Sequence, residues 1–135
     1  MLKELKAIEH IGIYSSDPKK LTDWYCNTFG MEIVYKIDKG VPEKSIYFLK
    51  AGNGMIVEIL PASSNQKVER NVGDPGFSHI GIVVKDMSNS VEILKSKGVI
   101  FKEIRETSMG WTIGYFNDID GNTIELIHRP KNEKL

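Results

Sequence analysis

The chain holds one cysteine, Cys26, in 135 residues, and a single thiol excludes an intrachain disulfide framework. It lacks a surplus of either charge, with 18 Lys and Arg against 18 Asp and Glu. No electrostatic footprint for nucleic acid or an anionic bilayer is therefore expected. No apolar run approaches the ~18 residues that span a bilayer. The first residues, Met1-Leu2-Lys3-Glu4-Leu5-Lys6, carry charges where a secretory leader needs an apolar core. These absences set the expectation of a cytoplasmic protein with no membrane and no nucleic-acid partner. An apolar share of 41% is ordinary for a globular chain, and this length suffices to bury the core of one domain.

What the chain does hold is a repeat. Glu9-His10-Ile11-Gly12-Ile13-Tyr14 returns as Ser78-His79-Ile80-Gly81-Ile82-Val83. After His10 come Asp17, Gly30, Tyr47 and Glu58. After His79 come Asp86, Gly98, Tyr115 and Glu125, at offsets that agree to within two residues. This marks an internal duplication of a unit of roughly 55 residues, longer than the common solenoid periods. Two copies suit a closed pair of modules better than an open stack.

The elements of each copy follow the same order. Ala7 to Tyr14 reads as a strand. Asp17-Pro18 starts a helix, since Asp caps free amides and Pro suits the first turn. That helix runs to about Phe29, and Gly30 closes it in a left-handed conformation. Met31 to Asp38, Ser45 to Lys50 and Met55 to Leu60 read as strands. Gly40-Val41-Pro42 reads as a loop, and Ala51-Gly52-Asn53-Gly54 as a hairpin turn. The polar stretch 62–76 is expected to link the halves. In the second half Ser78 to Val84 is a strand, and Asp86 caps a helix to about Lys97. Ile100 to Arg105, Trp111 to Phe116 and Thr123 to His128 are strands, with Asp118 to Asn122 turning between the last two. The tail from Arg129 is charged and expected to fray. The fold class expected is α+β, with two tandem β-α-β-β-β modules at about 5–61 and 77–129 in a single domain. One helix cannot cover both faces and edges of a four-stranded sheet, so the halves are expected to combine.

Four residues carry chemistry in this frame: His10, Glu58, His79 and Glu125. Each sits in a strand among apolar neighbours, where a carboxylate is costly unless paired or bound to a metal. Taken singly, a strand histidine is more often structural, and a strand glutamate more often solvated. Their recurrence at matching places weights the functional reading. Two imidazoles and two carboxylates suit one divalent ion, such as Ni, Zn, Co, Mn or Fe. Tyr14, Tyr47, Trp111 and Tyr115 are weaker candidates to line a substrate pocket, and core packing is the favoured role for such aromatics. His128 has the opposite parity to Glu125 and is set aside. Cys26 is expected to be a small buried helix residue rather than a nucleophile.

The repeated His-Ile-Gly-Ile strands and the closing Asp118-Ile119-Asp120-Gly121-Asn122-Thr123-Ile124-Glu125-Leu126 resemble the vicinal oxygen chelate superfamily. That group includes glyoxalase I, methylmalonyl-CoA epimerase, extradiol dioxygenases and the bleomycin resistance proteins. The resemblance spans about residues 5 to 129. It implies the glyoxalase/bleomycin resistance fold, an open, cupped mixed sheet around a metal. Its metal positions fall on His10, Glu58, His79 and Glu125. It also implies that Glu125 and Glu58 are the catalytic candidates, moving a proton next to a substrate carbonyl through an enediolate whose oxygens the metal holds. Glu58 matches the glutamate of glyoxalase I, where the epimerases typically carry Gln. Where glyoxalase I places an Arg and an Asn for glutathione, this chain reads Ile11-Gly12-Ile13-Tyr14 and Ile59-Leu60-Pro61-Ala62.

The expectation is a metal-dependent lyase or isomerase of the glyoxalase type, acting on a small carbonyl substrate as a homodimer. The alternatives are an isomerase like methylmalonyl-CoA epimerase, a non-catalytic ligand-sequestering protein of the bleomycin resistance type, and a ring-cleaving dioxygenase. The last two fit less well. Sequestering members generally lack the metal set, and the dioxygenases use three ligands rather than four.

Overall fold

The two α-helices among the described residues each begin at an aspartate. In the computed structural model, which describes residues 4–52, 54–66 and 73–129, Asp17 Oδ1 accepts the Lys20 amide at 3.0 Å. Asp86 Oδ1 accepts the Asn89 amide at 3.0 Å. Each cap satisfies an amide that the first helical turn leaves without a partner. Helix α1 (Pro18–Phe29) ends where Gly30 turns left-handed at φ 69° and donates its amide to the Cys26 carbonyl at 2.9 Å. Glycine is the residue that takes this conformation without steric cost. Helix α2 spans Met87–Ser96.

The chain falls into two units, Met1–Lys67 and Val68–Leu135. The first holds strands β1 (His10–Ser15), β2 (Glu32–Ile37), β3 (Ile46–Lys50) and β4 (Ile56–Pro61), in the sheet order β1-β4-β3-β2. The second holds β5 (Ile80–Val83), β6 (Phe101–Glu106), β7 (Thr112–Asn117) and β8 (Thr123–His128), in the order β5-β8-β7-β6. In each sheet the first strand runs parallel to the last, and the other pairings are antiparallel. A parallel pair needs a long crossover. Here the helix and two strands supply it.

Alternation along the strands decides which face is buried. In the first unit α1 lies against β1, β3 and β4. Leu21, Tyr25, Tyr47, Leu49, Val57 and Ile59 are buried there. Burying each such aliphatic side chain contributes about 1.5–3 kcal/mol. The residues between them, Phe48 and Glu58, point to the opposite face. In the second unit Phe116, Ile124 and Leu126 are buried on one face, and Leu94 and Met87 of α2 are buried with them.

Two local differences from the expected elements have physical causes. Strand β1 starts at His10 rather than Ala7, because its ladder to β4 begins with His10 opposite Ile56, and Ile8 remains exposed. The expected loop at Gly40-Val41-Pro42 leads into one turn of 3-10 helix at Pro42–Lys44. Pro at its first position is preset for such a turn. The buried Ser45 hydroxyl ties that turn down, accepting from the Lys39 amide at 3.2 Å and donating to the Val41 carbonyl at 3.0 Å. The described parts of the stretch 62–76 contain no helix and, beyond Pro61, no strand. Asn53 of the expected hairpin turn, residues 67–72 of the linker and 130–135 of the tail lie outside the described residues. Among the described residues no helix is long and apolar enough to cross a membrane.

Candidate functional site

The two His-Ile-Gly-Ile segments are strands β1 and β5, and the Glu58 and Glu125 segments are their parallel partners, β4 and β8. Gly12 stands opposite Glu58, and Gly81 stands opposite Glu125. A histidine two residues before each glycine shares its face. His10 Nε2 therefore lies 3.4 Å from Glu58 Oε2, and His79 Nε2 lies 3.2 Å from Glu125 Oε2. The same pairing arises in both units from the same register.

Each glycine lies against the carboxylate it faces. A Cβ on Gly12 would stand 3.6 Å from Glu58 Oε2, and one on Gly81 would stand 3.7 Å from Glu125 Oε2. Both carboxylate groups are mostly covered, at 17% and 15% exposure of the side chain. A carboxylate so placed needs a positive or hydrogen-bonding partner.

The remaining atoms of each pair are held from outside. His10 Nδ1 pairs with the Glu9 carboxylate, and His79 Nδ1 lies 3.0 Å from Ser78 Oγ. A partner on Nδ1 leaves Nε2 as the nitrogen that faces a ligand, as outer-sphere partners of metal-bound histidines do. Without a metal, the hydrogen bond to Glu9 raises the His10 pKa above its ordinary value. The negative charges of Glu9 and Glu58 add to this, while burial opposes it. In the second unit the Tyr115 hydroxyl donates to Glu125 Oε1 at 2.8 Å, and its ring meets His79 edge-on at 5.6 Å. Burial, and then that hydrogen bond, push the Tyr115 phenol up.

The donor chemistry fits a cation. An imidazole Nε2 lone pair and a carboxylate oxygen at these separations repel each other unless a proton or a metal ion lies beside them. Each unit brings one imidazole and one carboxylate together. Among the described residues, no group of three or more His, Cys, Asp or Glu side chains is assembled.

The expected pocket residues distribute unevenly. Tyr14 is 72% exposed, on the His10 side of β1 by alternation. Trp111 precedes β7, with the Arg129 guanidinium 4.5 Å above its ring. Tyr115 is engaged with Glu125. Tyr47 takes the core role rather than the pocket role. It stands opposite Ile59, 2% exposed, on the α1 face, and its hydroxyl donates to the Pro42 carbonyl at 3.0 Å. Phe48, not Tyr47, stands opposite Glu58, as Tyr115 stands opposite Glu125. Matching Tyr47 to Tyr115 is a slip of one residue, and in a strand one residue reverses the face. Counting back from each glutamate, rather than forward from each histidine, gives the right match. Gly12 and Gly81 each stand two residues after the histidine of their copy of the repeat. Glu9 and Ser78 had no signal beyond adjacency to the histidines. His128 Nδ1 lies 3.2 Å from the Val84 carbonyl. Cys26 is half-buried, and burial raises its thiol pKa.

Comparison with known proteins agrees with this architecture. A protein of Arabidopsis thaliana named "Probable lactoylglutathione lyase, chloroplastic" is 30% identical over 131 residues, covering 93% of this chain and 37% of its own length. A Synechocystis protein named "Probable lactoylglutathione lyase" is 28% identical over 120 residues, covering 87% of this chain and 92% of its own. This chain spans less than half the length of the first two plant relatives it matches. Among solved structures, a glyoxalase family protein from Enterococcus faecalis has the same fold, with a TM-score of 0.74 at 23% identity, covering 90% of this chain and 97% of that one. Residues 7–126 match the family model for these folds, and the chain belongs to the Glyoxalase/Bleomycin resistance protein/Dioxygenase superfamily.

Proposed function

We propose that His10 with Glu58, and His79 with Glu125, are two halves of one four-donor site for a divalent metal ion. On this reading the protein is a lyase or isomerase of the glyoxalase type that acts on a small carbonyl substrate. The observation that carries it is the duplicated half-site. In each unit an Nε2 faces a mostly covered carboxylate oxygen, and the Nδ1 is partnered. A structural pair has no need of the same three features twice. The names of the relatives, lactoylglutathione lyases, support the reaction class.

Two neutral imidazoles and two carboxylates balance the charge of a dication, and a mixed N and O set suits Ni, Zn, Co, Mn or Fe. When bound, such an ion supplies positive charge that stabilises oxygens turned negative by loss of a neighbouring proton. The chain's own residues do the rest. Glu9 and Ser78 hold the imidazole rings. One of Glu58 and Glu125 takes the proton from the carbon beside the carbonyl, and the electron pair stays on the substrate as an enediolate. The same carboxylate then returns the proton, to the neighbouring carbon in a lyase or isomerase, or to the same carbon in an epimerase. Tyr14 and Trp111 are the aromatic candidates for substrate contact.

One observation counts against glutathione as the co-substrate. The stretches after His10 and Glu58 carry Gly12-Ile13-Tyr14 and Leu60-Pro61-Ala62, without the Arg and Asn that glyoxalase I uses for glutathione. The test is deuterium uptake from solvent by metal-loaded protein, first with 2-oxoaldehydes and several thiols, then with acyl-CoA epimers. Uptake with either class supports the reading. No uptake with any of them, from protein that holds its metal, sinks it. We further infer a homodimer, because the outer strand β2 exposes Ile33, Val34 and Tyr35, and keep the cytoplasmic location expected from the sequence.

A further inference from the structure

The β7/β8 ladder carries a second polar pair beyond the one at Glu125. Tyr115 stands opposite Glu125, Ile113 opposite Ile127 and Thr112 opposite His128. One step further, Trp111 meets Arg129, whose guanidinium lies 4.5 Å above its ring. Alternation puts this pair on the face that carries Tyr115 and Glu125. Arg129 follows Glu125 by four residues, about 13 Å along the strand at ~3.3 Å per residue. Between the two ends the face is apolar. Ile113 and Ile127 are buried there, and Val83 of β5 stands opposite Ile127.

The charge at the far end is unbalanced. Arg105 and Glu103 of β6, opposite Ile113 and Tyr115, neutralise each other at 3.1 Å. Among the described residues no carboxylate pairs with Arg129, and its Nε is buried without a hydrogen-bond partner. A guanidinium that served only to brace the fold would be expected to find protein acceptors, because an unmet donor on a charged group is costly. Stacking on the indole engages the flat face of the ion, while its N–H donors lie in the plane. Trp111 is itself held in place. Its amide donates to Thr107 Oγ1 at 3.1 Å, and its carbonyl accepts the Thr107 amide at 2.8 Å.

We infer that Arg129, stacked on Trp111, is a specificity-determining residue that receives an anionic group, a carboxylate or a phosphate, at the far end of the substrate. This rests on the proposed metal site and names its substrate class, a carbonyl compound with an apolar tail that ends in an anion. The carbonyl lies at the His79–Glu125 end. The tail runs along Ile113, Ile127 and Val83, and the guanidinium takes the anion through its N–H donors. An uncharged tail of the same length gains burial but leaves those donors unmet, so the site discriminates against it.

The first half of the test uses the metal-free chain with hexanoate, hexyl phosphate and hexanol. Binding is read by calorimetry in the unsubstituted chain. It is read again by the fluorescence of Trp111 in a Trp24→Phe background, which removes the other of the two tryptophans. At least one of the anions should bind about tenfold or more tightly than hexanol, and Arg129→Gln should remove that preference, as the loss of a charge-assisted hydrogen bond requires. Arg129→Lys should recover part of it, and Arg105→Gln should leave it unchanged. The tighter of the two anions identifies the head group. The second half uses the zinc-loaded chain and dicarboxylates from succinate to dodecanedioate. Affinity should peak at the length that joins zinc to Arg129. Arg129→Gln should abolish the peak and leave zinc affinity as it was. No preference for either anion over hexanol, or a preference that survives Arg129→Gln, overturns the inference. So does a length profile that is the same with and without Arg129. A chain that takes up no zinc overturns the proposed function instead, and the metal-free titrations still decide whether Arg129 holds an anion.

Discussion

Replacing Gly114 by alanine should destabilise the second unit, and the cost follows from the geometry. Gly114 sits in β7 between Ile104 of β6 and Leu126 of β8. An added Cβ would meet Phe101 Cε1 at 3.0 Å and Cδ1 at 3.1 Å, with Ile104 Cγ1 at 3.5 Å. The Phe101 ring is itself held edge-on against Phe116 at 4.9 Å, and Phe116 is fully buried. Its freedom to retreat is therefore limited. Overpacking of this kind costs about 1–3 kcal/mol, and replacing a strand glycine returns about 0.5–1 kcal/mol. The net is a loss of about 1–2 kcal/mol, or a thermal midpoint lowered by about 3–8 °C for a chain of this size. Gly81→Ala is the control, because its Cβ meets nothing closer than 3.7 Å. It should match the wild type or gain up to about 1 kcal/mol. Thermal unfolding followed by circular dichroism reads both. A Gly114→Ala midpoint equal to those of Gly81→Ala and the wild type would refute the packing argument.

Other predictions follow from single contacts. Asp118, buried at 5% exposure, accepts from the Asp120 amide at 2.9 Å and from the Asn122 amide and side chain at 2.8 Å each. Asp118→Ala should cost about 2–3 kcal/mol in denaturant unfolding, and a change under about 0.5 kcal/mol would contradict the role given to this turn. Asp17→Ala removes the α1 cap and should cost about 1 kcal/mol, whereas Asp17→Ser should recover most of it. The Tyr115 phenol should titrate above its ordinary range in the metal-free chain, because burial and then Glu125 favour the neutral form. That stabilisation is full below the ordinary phenol pKa and fades as pH rises through the raised one. An ultraviolet titration should show a late component that is lost in Tyr115→Phe and moves down in Glu125→Gln. Tyr115 titrating within the ordinary range would contradict this.

Capping was legible because it is local. Asp17-Pro18, Gly30 and Asp86 announce helix ends within a few residues. The repeat was legible because it is written in residue identity, and it singled out His10, Glu58, His79 and Glu125 as matched pairs. Strand order was not legible, since β1 lies beside β4 rather than its chain neighbour β2, and only long-range pairing decides that. Tyr47 takes the core role rather than the pocket role, and the match of Tyr47 to Tyr115 slipped for a related reason. Offsets counted from His10 pass through a helix and a loop, and one residue of drift is enough to reverse a side chain. The hydrogen bond from Tyr115 to Glu125 depends on cross-strand register, which no local pattern encodes. The glycines of His-Ile-Gly-Ile were visible as a motif, but their purpose appears only when each stands opposite a glutamate.

The most direct measurement is metal content by mass spectrometry, after exposure to Ni, Zn, Co or Mn at neutral pH and removal of excess ion. It is made on the wild type and on Glu58→Ala combined with His79→Ala, which removes one donor from each unit. The proposed site predicts about one divalent ion per four-donor set in the wild type and loss of that ion in the double variant. A folded wild-type chain that retains none of these metals, or a double variant that retains as much as the wild type, would contradict it.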